Sequence, residues 1–410
     1  MNNTKPIDLP NKEQSLKIRP LKILNVVGSM NRGGIETWLM HVLRNIDRNL
    51  FQMDFMVHTL KSCDYDDEIR SLGCRIISSP YLPHPSKLWW TYAENFRQIL
   101  QQYGAYDVVH SHVHYFDGQI LRIAKQAGVP VRISHSHNDT SVVSQAGWKK
   151  RFYSVLMNSL ISRHATIGLA CSQQAAVDLF GKNWQNDRRW QILYCGLDMS
   201  PFQEPVDPVE VRSELGIPQD AFVIGHVGRF ESQKNHHFLV KIFAEIARRE
   251  SKICLLLVGN GSLRSQIERE LAQLSLTDKV ILTGVRPDVP RIMLGAMDAF
   301  VFPSLYEGLG LVLIEAQAAG LPCVLSDVVP EAADVVKPLL SRLSLSQSAS
   351  QWADVILAQK NEAFKIEQSA ALSMIKHNSP FSIETSAKSL TDIYSGSQTQ
   401  SVKMENQLKA

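Results

Sequence analysis

From Leu21 onward, short apolar runs alternate with stretches whose apolar positions recur at three- and four-residue spacing. The runs are Leu21–Val27, Met53–Val57, Arg75–Ile77, Val108–His110, Val131–Ser134, Ile167–Ala170 and Trp190–Leu193. A second series follows at Phe222–Val227, Ile253–Val258, Val280–Thr283, Ala299–Phe302 and Cys323–Leu325. Such runs, bounded by turn residues, read as buried strands, and the stretches between them as helices. Strands alternating with helices predict parallel sheets, and two series predict two of them. Between the series lies Met199-Ser-Pro-Phe-Gln-Glu-Pro-Val-Asp-Pro208. Its prolines and acids suit neither a helix interior nor a central strand, so it reads as a linker with the boundary near residue 203. The expected fold class is α/β, with two Rossmann-like doubly wound domains, residues 18–202 and 203–375, facing each other across a cleft.

A chain of 410 residues suits two ordinary domains. Its net charge of +3 gives no reason to expect a nucleic-acid partner. The six cysteines, at 63, 74, 171, 195, 254 and 323, form no C-x-x-C pair or regular framework. That favours reduced thiols in a cytoplasmic protein and suggests no zinc site among them. Residues 1 to 19 are polar, and no run approaches the roughly 20 apolar residues of a membrane span. Residues 396–410 are Ser/Gln/Lys-rich and read as a disordered tail.

Chemistry enters with Glu307-Gly-Leu-Gly-Leu-Val-Leu-Ile-Glu315, just after the run Ala299–Phe302. Pro303 to Gly310 reads as a turn and Leu311 to Ala319 as a helix ended by Gly320-Leu321-Pro322. Glu307 is thereby placed past a strand's carboxyl end, where open α/β sheets collect ligands. Two carboxylates there suit a polyhydroxyl ligand, each accepting hydrogen bonds from neighbouring hydroxyls. The bland alternative is a pair of solvated acids. Gly228-Arg-Phe-Glu-Ser-Gln-Lys-Asn235 follows the first strand of the second half, so Arg229 and Lys234 project from one loop. Two cations there suit a diphosphate, or are simply solvated. Gly28-Ser-Met-Asn-Arg-Gly-Gly-Ile-Glu36 follows the chain's first strand. Gly33 and Gly34 let backbone N–H groups approach a ligand at the next helix, or serve turn geometry alone. Five of thirteen histidines fall at 110, 112, 114, 135 and 137. If the strand continued, His110, His112 and His114 would share one side in a spacing like that of metal ligands, although neutral imidazoles also bond sugar hydroxyls.

The stretch EGLGLVLIEAQAAGLPCV, residues 307–324, resembles the E-x7-E signature of the retaining, GT-B-type glycosyltransferases of family 4, and the likeness extends upstream through most of the chain. The resemblance implies that Glu307 faces the transferred hexose and Glu315 the nucleoside ribose, with Gly308 and Leu309 beside them in the donor site. It gives Arg229 and Lys234 the diphosphate, and the main chain around Val285, in Thr283-Gly-Val-Arg286, the nucleobase. It sets Gly33 and Gly34 against the donor phosphate or the acceptor. His135, in Arg132-Ile-Ser-His-Ser-His137, matches the histidine beside the hexose and its 6-hydroxyl, with His137 next. A final helix, Ser382–Tyr394 within residues 376–395, is expected to cross back onto the first domain. Two departures stand out. Cys195-Gly-Leu-Asp198 replaces a common Asn-Gly-(Val/Ile)-Asp, and Asn235 replaces a frequent glycine.

The implied activity is transfer of a hexosyl group, with retention, from a UDP- or GDP-sugar to a glycan or lipid-linked glycan in exopolysaccharide or capsule assembly. No separate cofactor is implied. The only Asp-x-Asp, Asp64-Tyr-Asp66, lies away from the donor loops, so Arg229 and Lys234 are expected to replace a diphosphate-bound metal. Gly147-Trp-Lys-Lys-Arg-Phe-Tyr-Ser-Val-Leu-Met157 and Lys87-Leu-Trp-Trp90 combine aromatics with basic residues. They leave open a peripheral contact with the inner face of the plasma membrane. Two other classes stay open: a nucleotide-sugar epimerase or metal hydrolase built on the histidines, and a non-catalytic subunit that binds sugar nucleotide.

Overall fold

In the computed structural model, residues 19–79, 88–137, 148–361 and 366–396 are described. Residues 1–18, the tail from 397, and Lys87 and Gly147, with which the two aromatic stretches begin, lie outside them. The first half forms a seven-stranded parallel sheet: β1 (Leu21–Val27), β2 (Phe51–Val57), β3 (Ile76–Ser78), β4 (Val108–Ser111), β5 (Val131–Ser136), β6 (Ile167–Ala170) and β7 (Trp190–Ile192). The second half forms a six-stranded one: β8 (Phe222–Val227), β9 (Ile253–Val258), β10 (Val280–Gly284), β11 (Ala299–Phe302), β12 (Cys323–Ser326) and β13 (Leu340–Leu343). All the pairings are parallel. Central strands carry continuous apolar runs because helices cover both faces; all six residues of β9, Ile-Cys-Leu-Leu-Leu-Val, are buried. β13 is absent from the sequence expectation. Its Leu-Ser-Arg-Leu is half-buried at a sheet edge, where one face meets water and the apolar signal is halved.

The strand orders are 3-2-1-4-5-6-7 and 10-9-8-11-12-13. Each sheet therefore reverses its winding beside its first strand, between β1 and β4 and between β8 and β11. Crevices outside the carboxyl ends at such switch points are where doubly wound sheets hold ligands. The loops after β1, β4, β8 and β11 carry Gly33–Gly34, His112, Arg229–Lys234 and Glu307 respectively. The topology thus brings the motifs of each half to one switch point.

The last helix, Ile383–Tyr394, lies against the first half. Ser382 caps its N-terminus, accepting from the Thr385 amide at 3.2 Å. Ser382 pairs with Leu197 as an isolated parallel bridge, and the buried Trp38 donates from Nε1 to Ser386 Oγ at 3.0 Å. Gly196 permits this close approach. A Cβ there would collide with the Ser382 carbonyl oxygen and stand 2.8 Å from Ile383 Cα. Gly196→Ala is expected to cost about 1–3 kcal/mol through forced backbone movement, read as a lowered melting temperature with the far-UV spectrum retained.

Candidate active site

β11 ends at Phe302, and the chain turns through Pro303 to Gly310 before the Leu311–Ala318 helix. Gly310 makes that turn in the left-handed region, with φ +86°, which glycine adopts without strain. Within the turn Glu307 is 6% exposed and accepts from Lys234 Nζ at 2.7 Å. The ammonium also lies 4.7 Å from the Phe302 ring centre. A buried carboxylate is thus neutralised by a cation from the neighbouring β8 loop, which keeps the cost of desolvating both charges tolerable. Gly308 and Leu309 are buried beside them. Glu315 is part-buried in the following helix, and desolvation pushes its carboxyl up to about 7. Hydroxyls donating to it would favour the ionised form.

The β8 loop is fixed from below. Phe230 is fully buried. A Cβ on Gly261 would stand 2.6 Å from Phe230 O and 2.7 Å from Phe230 N, and one on Gly259 would collide with Gly228 O. These glycines let the β9 loop support Arg229, which is itself exposed. Asn235 takes the left-handed conformation, with φ +54°, and its amide donates to Pro303 O at 3.1 Å. The replacement of glycine there keeps the turn and ties the two loops together. Val285, 45% exposed, follows β10 at the sheet's edge, two strands away from β8.

The first half closes on these groups. A Cβ at Gly34 would lie 3.7 Å from Leu311 Cδ1, so the start of the Gly34–Asn45 helix meets that of the Leu311–Ala318 helix across the cleft. A Cβ at Gly33 would stand 2.5 Å from Glu36 Oε2, so this glycine leaves room for the carboxylate. Burial pushes the Glu36 carboxyl above the usual carboxylate range, while a backbone hydrogen bond and the Arg229 guanidinium of the other half act the other way. Glu36 is the site residue that sequence reasoning left as part of a Gly-Gly-x-Glu string. Its signal was an acid one turn after a glycine pair at a helix start.

The histidines assemble differently from their sequence alternation. β4 ends at Ser111, and His114 sits in the left-handed region with φ +60°, its Nε2 3.0 Å from Asp178 Oδ2. It does not join His110 and His112. Those two meet His135 and His137 at the ends of β4 and β5, with His110 Nε2 3.2 Å from His135 Nδ1 and His112 Nδ1 2.9 Å from His137 Nε2. Tyr394 Oη reaches His110 Nδ1 at 2.8 Å, and Cys195 Sγ lies 3.7 Å from His137 Nδ1. Burial holds His110, His112 and His135 well below the ordinary imidazole range and takes His137 down to about 3. His135, expected beside the hexose, has 0% of its surface exposed. As placed it offers a ligand in the cleft no open atom. All six cysteines are unpaired and buried.

Residues 33–194 match the glycosyl transferase 4-like domain family, and residues 209–371 match the family of glycosyl transferases group 1. EpsF of Bacillus subtilis (strain 168), a protein assigned to the glycosyltransferases, is 39% identical over 338 residues, covering 82% of this chain and 86% of its own. The Escherichia coli UDP-Gal:alpha-D-GlcNAc-diphosphoundecaprenol alpha-1,3-galactosyltransferase is 30% identical over 239 residues, 54% of this chain and 58% of that one. Anabaena HepE, solved with UDP and glucose, superposes with a TM-score of 0.75 at 19% identity, over 92% of this chain and 99% of that one. The lipopolysaccharide glycosyltransferase WaaG gives a TM-score of 0.69 at 17% identity, over 91% and 100%. With both halves matched in order, on two doubly wound sheets that meet across the Glu307–Lys234 cleft, the chain belongs to the group 1 glycosyltransferases and has the GT-B fold.

Proposed function

We propose that the protein transfers a hexosyl group from a UDP- or GDP-sugar to a hydroxyl of a glycan or lipid-linked glycan during polysaccharide assembly, with retention of anomeric configuration. The observation that carries this reading is the grouping of Arg229, Lys234, Glu307 and Glu315 at the switch point of the second sheet, opposite Gly33–Glu36 of the first. Lys234 has three donors, so it can hold Glu307 and a phosphate oxygen together. Arg229 offers its planar fork to the same diphosphate. The two cations would take the place of a diphosphate-bound metal and stabilise the charge that develops on the leaving group. Glu307 would accept from hexose hydroxyls and Glu315 from the ribose, with the main chain near Val285 against the base. The acceptor hydroxyl attacks from the face that the diphosphate leaves, and a departing phosphate oxygen takes its proton. The donor class is supported by the UDP complex of HepE, and a lipid-linked acceptor by the substrate named for the E. coli relative. An NMR assignment of the product anomer tests the reading. Retention is expected, and inversion would exclude front-face transfer.

No helix among the described residues is long and apolar enough to cross a membrane. We place the protein in the cytoplasm, in peripheral contact with the membrane's inner face through the Trp148–His164 helix. Trp148, Phe152 and Val155 follow one helical face and are 77%, 67% and 62% exposed, with Arg151 and Arg163 exposed on its flanks. An apolar stripe edged by cations suits an anionic bilayer surface. Phe152→Glu is expected to weaken binding to phosphatidylglycerol vesicles about 10- to 100-fold, from the loss of roughly 1.5–3 kcal/mol of aromatic burial, with donor binding unchanged. Equal cosedimentation of variant and wild type would remove the helix from membrane contact.

A further inference from the structure

We infer that Gln233 and Ser326 are positioning residues for Glu307: together with Asn235 they hold the main chain of the turn that carries it, and so fix where its carboxylate meets the hexose. The inference rests on the donor reading above. Pro303 to Gly310 lies outside any helix or strand, so its carbonyls have no ladder to join, and buried ones need partners. Three of them are taken by side chains. Asn235 Nδ2 donates to Pro303 O at 3.1 Å, Ser326 Oγ to Ser304 O at 2.7 Å, and Gln233 Nε2 to Tyr306 O at 3.0 Å. Each acceptor is a main-chain carbonyl, so the side chain is the donor in every case.

The donors reach the turn from both sides. In the second sheet β11 lies between β8 and β12. Gln233 and Asn235 belong to the loop after β8, whereas Ser326 ends β12 and is fully buried. The tie to the β8 loop also runs in both directions, because Leu305 N donates to Gln233 O at 2.8 Å. Lys234 thus stands between two residues that grip the turn, and Glu307 follows directly on the last carbonyl gripped. The 2.7 Å contact of Lys234 Nζ with Glu307 Oε1 is framed by main chain rather than left to two side chains.

A carboxylate on an irregular turn is only as well placed as the main chain beneath it. Misplacement by about 1 Å at a reacting centre can cost on the order of 10²-fold in rate. Gln233 acts here through Tyr306 and Glu307 rather than on the donor itself, and Ser326 acts through Ser304. The diphosphate side depends on them less. Arg229 is supported by the β9 loop at Gly259 and Gly261, and Lys234 by the single turn Ser232–Lys234, in which its N–H donates to Glu231 O at 3.0 Å. Loss of either side-chain tie should therefore loosen the hexose side of the site and spare the diphosphate side.

The test compares full-length wild type with Gln233→Met and Ser326→Ala in two measurements. Hydrogen–deuterium exchange without ligand reads the frame: amides of residues 303–310 should exchange roughly 2- to 10-fold faster in each variant, the net worth of one hydrogen bond. Calorimetry with UDP, GDP, UDP-glucose, UDP-galactose and GDP-mannose reads the site. For the nucleotide that wild type binds, the free diphosphate should keep its affinity within about 2-fold while its sugar nucleotide loses roughly 10-fold, as for a hydrogen bond to a charged group. A merely structural role would weaken both ligands alike, and that result, or unchanged affinity for both, would overturn the assignment. Unchanged exchange in Gln233→Met would overturn the frame on its own. Wild type that binds nothing in the panel would remove the donor reading, and with it the role in placing a hexose, while the exchange result still shows whether the turn is held. If Ser326→Ala, at a buried position, does not fold, Gln233→Met at a part-buried one carries the test.

Discussion

Lys234→Ala is expected to lower kcat/KM by about 10²–10³, with kcat falling in proportion. The loss of one preorganised donor at a charge-developing centre costs roughly 2.7–4 kcal/mol in the transition state. The same substitution should also destabilise the fold, because Glu307 is 6% exposed and its 2.7 Å partner disappears. Breaking a buried pair from one side costs up to about 3–5 kcal/mol, since the surviving charge is left uncompensated. The two effects separate in a double variant. Lys234→Met with Glu307→Gln removes both charges, so most of the stability should return while activity stays lost. Initial rates and thermal melts on the two single variants and the double variant check this. Recovery of activity in the double variant would mean that the pair serves folding alone.

The second large effect is on acid stability. Burial holds His41, His58 and His236 down to about 4, His137 to about 3, and His110, His112, His135 and His226 well below the ordinary range. For each, the folded chain binds fewer protons than the unfolded chain. Their contribution is therefore complete above the unfolded value near 6.5 and is lost as pH falls below it, at about 1.4 kcal/mol per pH unit per residue. Three carboxyls act the other way, Glu36 among them, raised by its burial. Asp117 accepts from Ser111 Oγ and Ser134 Oγ, both at 2.6 Å, yet burial pushes it up to about 6, and Glu315 rises to about 7. Protonating these carboxyls on acidification favours the folded state until their unfolded values near 4 are passed. Eight such histidines against three carboxyls leave a net loss. Between pH 7.5 and 5.5 the unfolding free energy should fall by several kcal/mol, on the order of one per buried histidine. Urea melts across that range measure it, and a flat or rising profile would show that the imidazoles are protonated in the folded chain.

The two sheets were legible because buried parallel strands need unbroken apolar runs, and those runs survive in a single sequence. β13 was not, since Leu340 to Leu343 forms a half-exposed edge. The Glu307–Lys234 pair was legible only as two motifs. Their contact depends on β8 and β11 becoming neighbours, and strand order leaves no mark in local periodicity. The turn at Asn235 is legible in the residue type, because tolerance of the left-handed region is a property of its own side chain. The histidines show the opposite case. His114 leaves the cluster through a single positive φ, and the last helix, nearly 300 residues downstream of His110, reaches back to bond it. His135 itself is packed against rings from other elements, Trp38 edge-on at 5.2 Å and His110 with its plane parallel at 5.3 Å.

The most direct test of the central claim is calorimetric binding of a panel of UDP- and GDP-sugars, with and without chelator, to wild type and to Arg229→Ala, Lys234→Ala and Glu315→Ala. The account predicts a signal for one nucleotide class that ignores chelator and is lost or strongly weakened in each variant. Absence of binding across the panel, or binding that survives all three substitutions, would contradict the assignment of the cleft as the donor site.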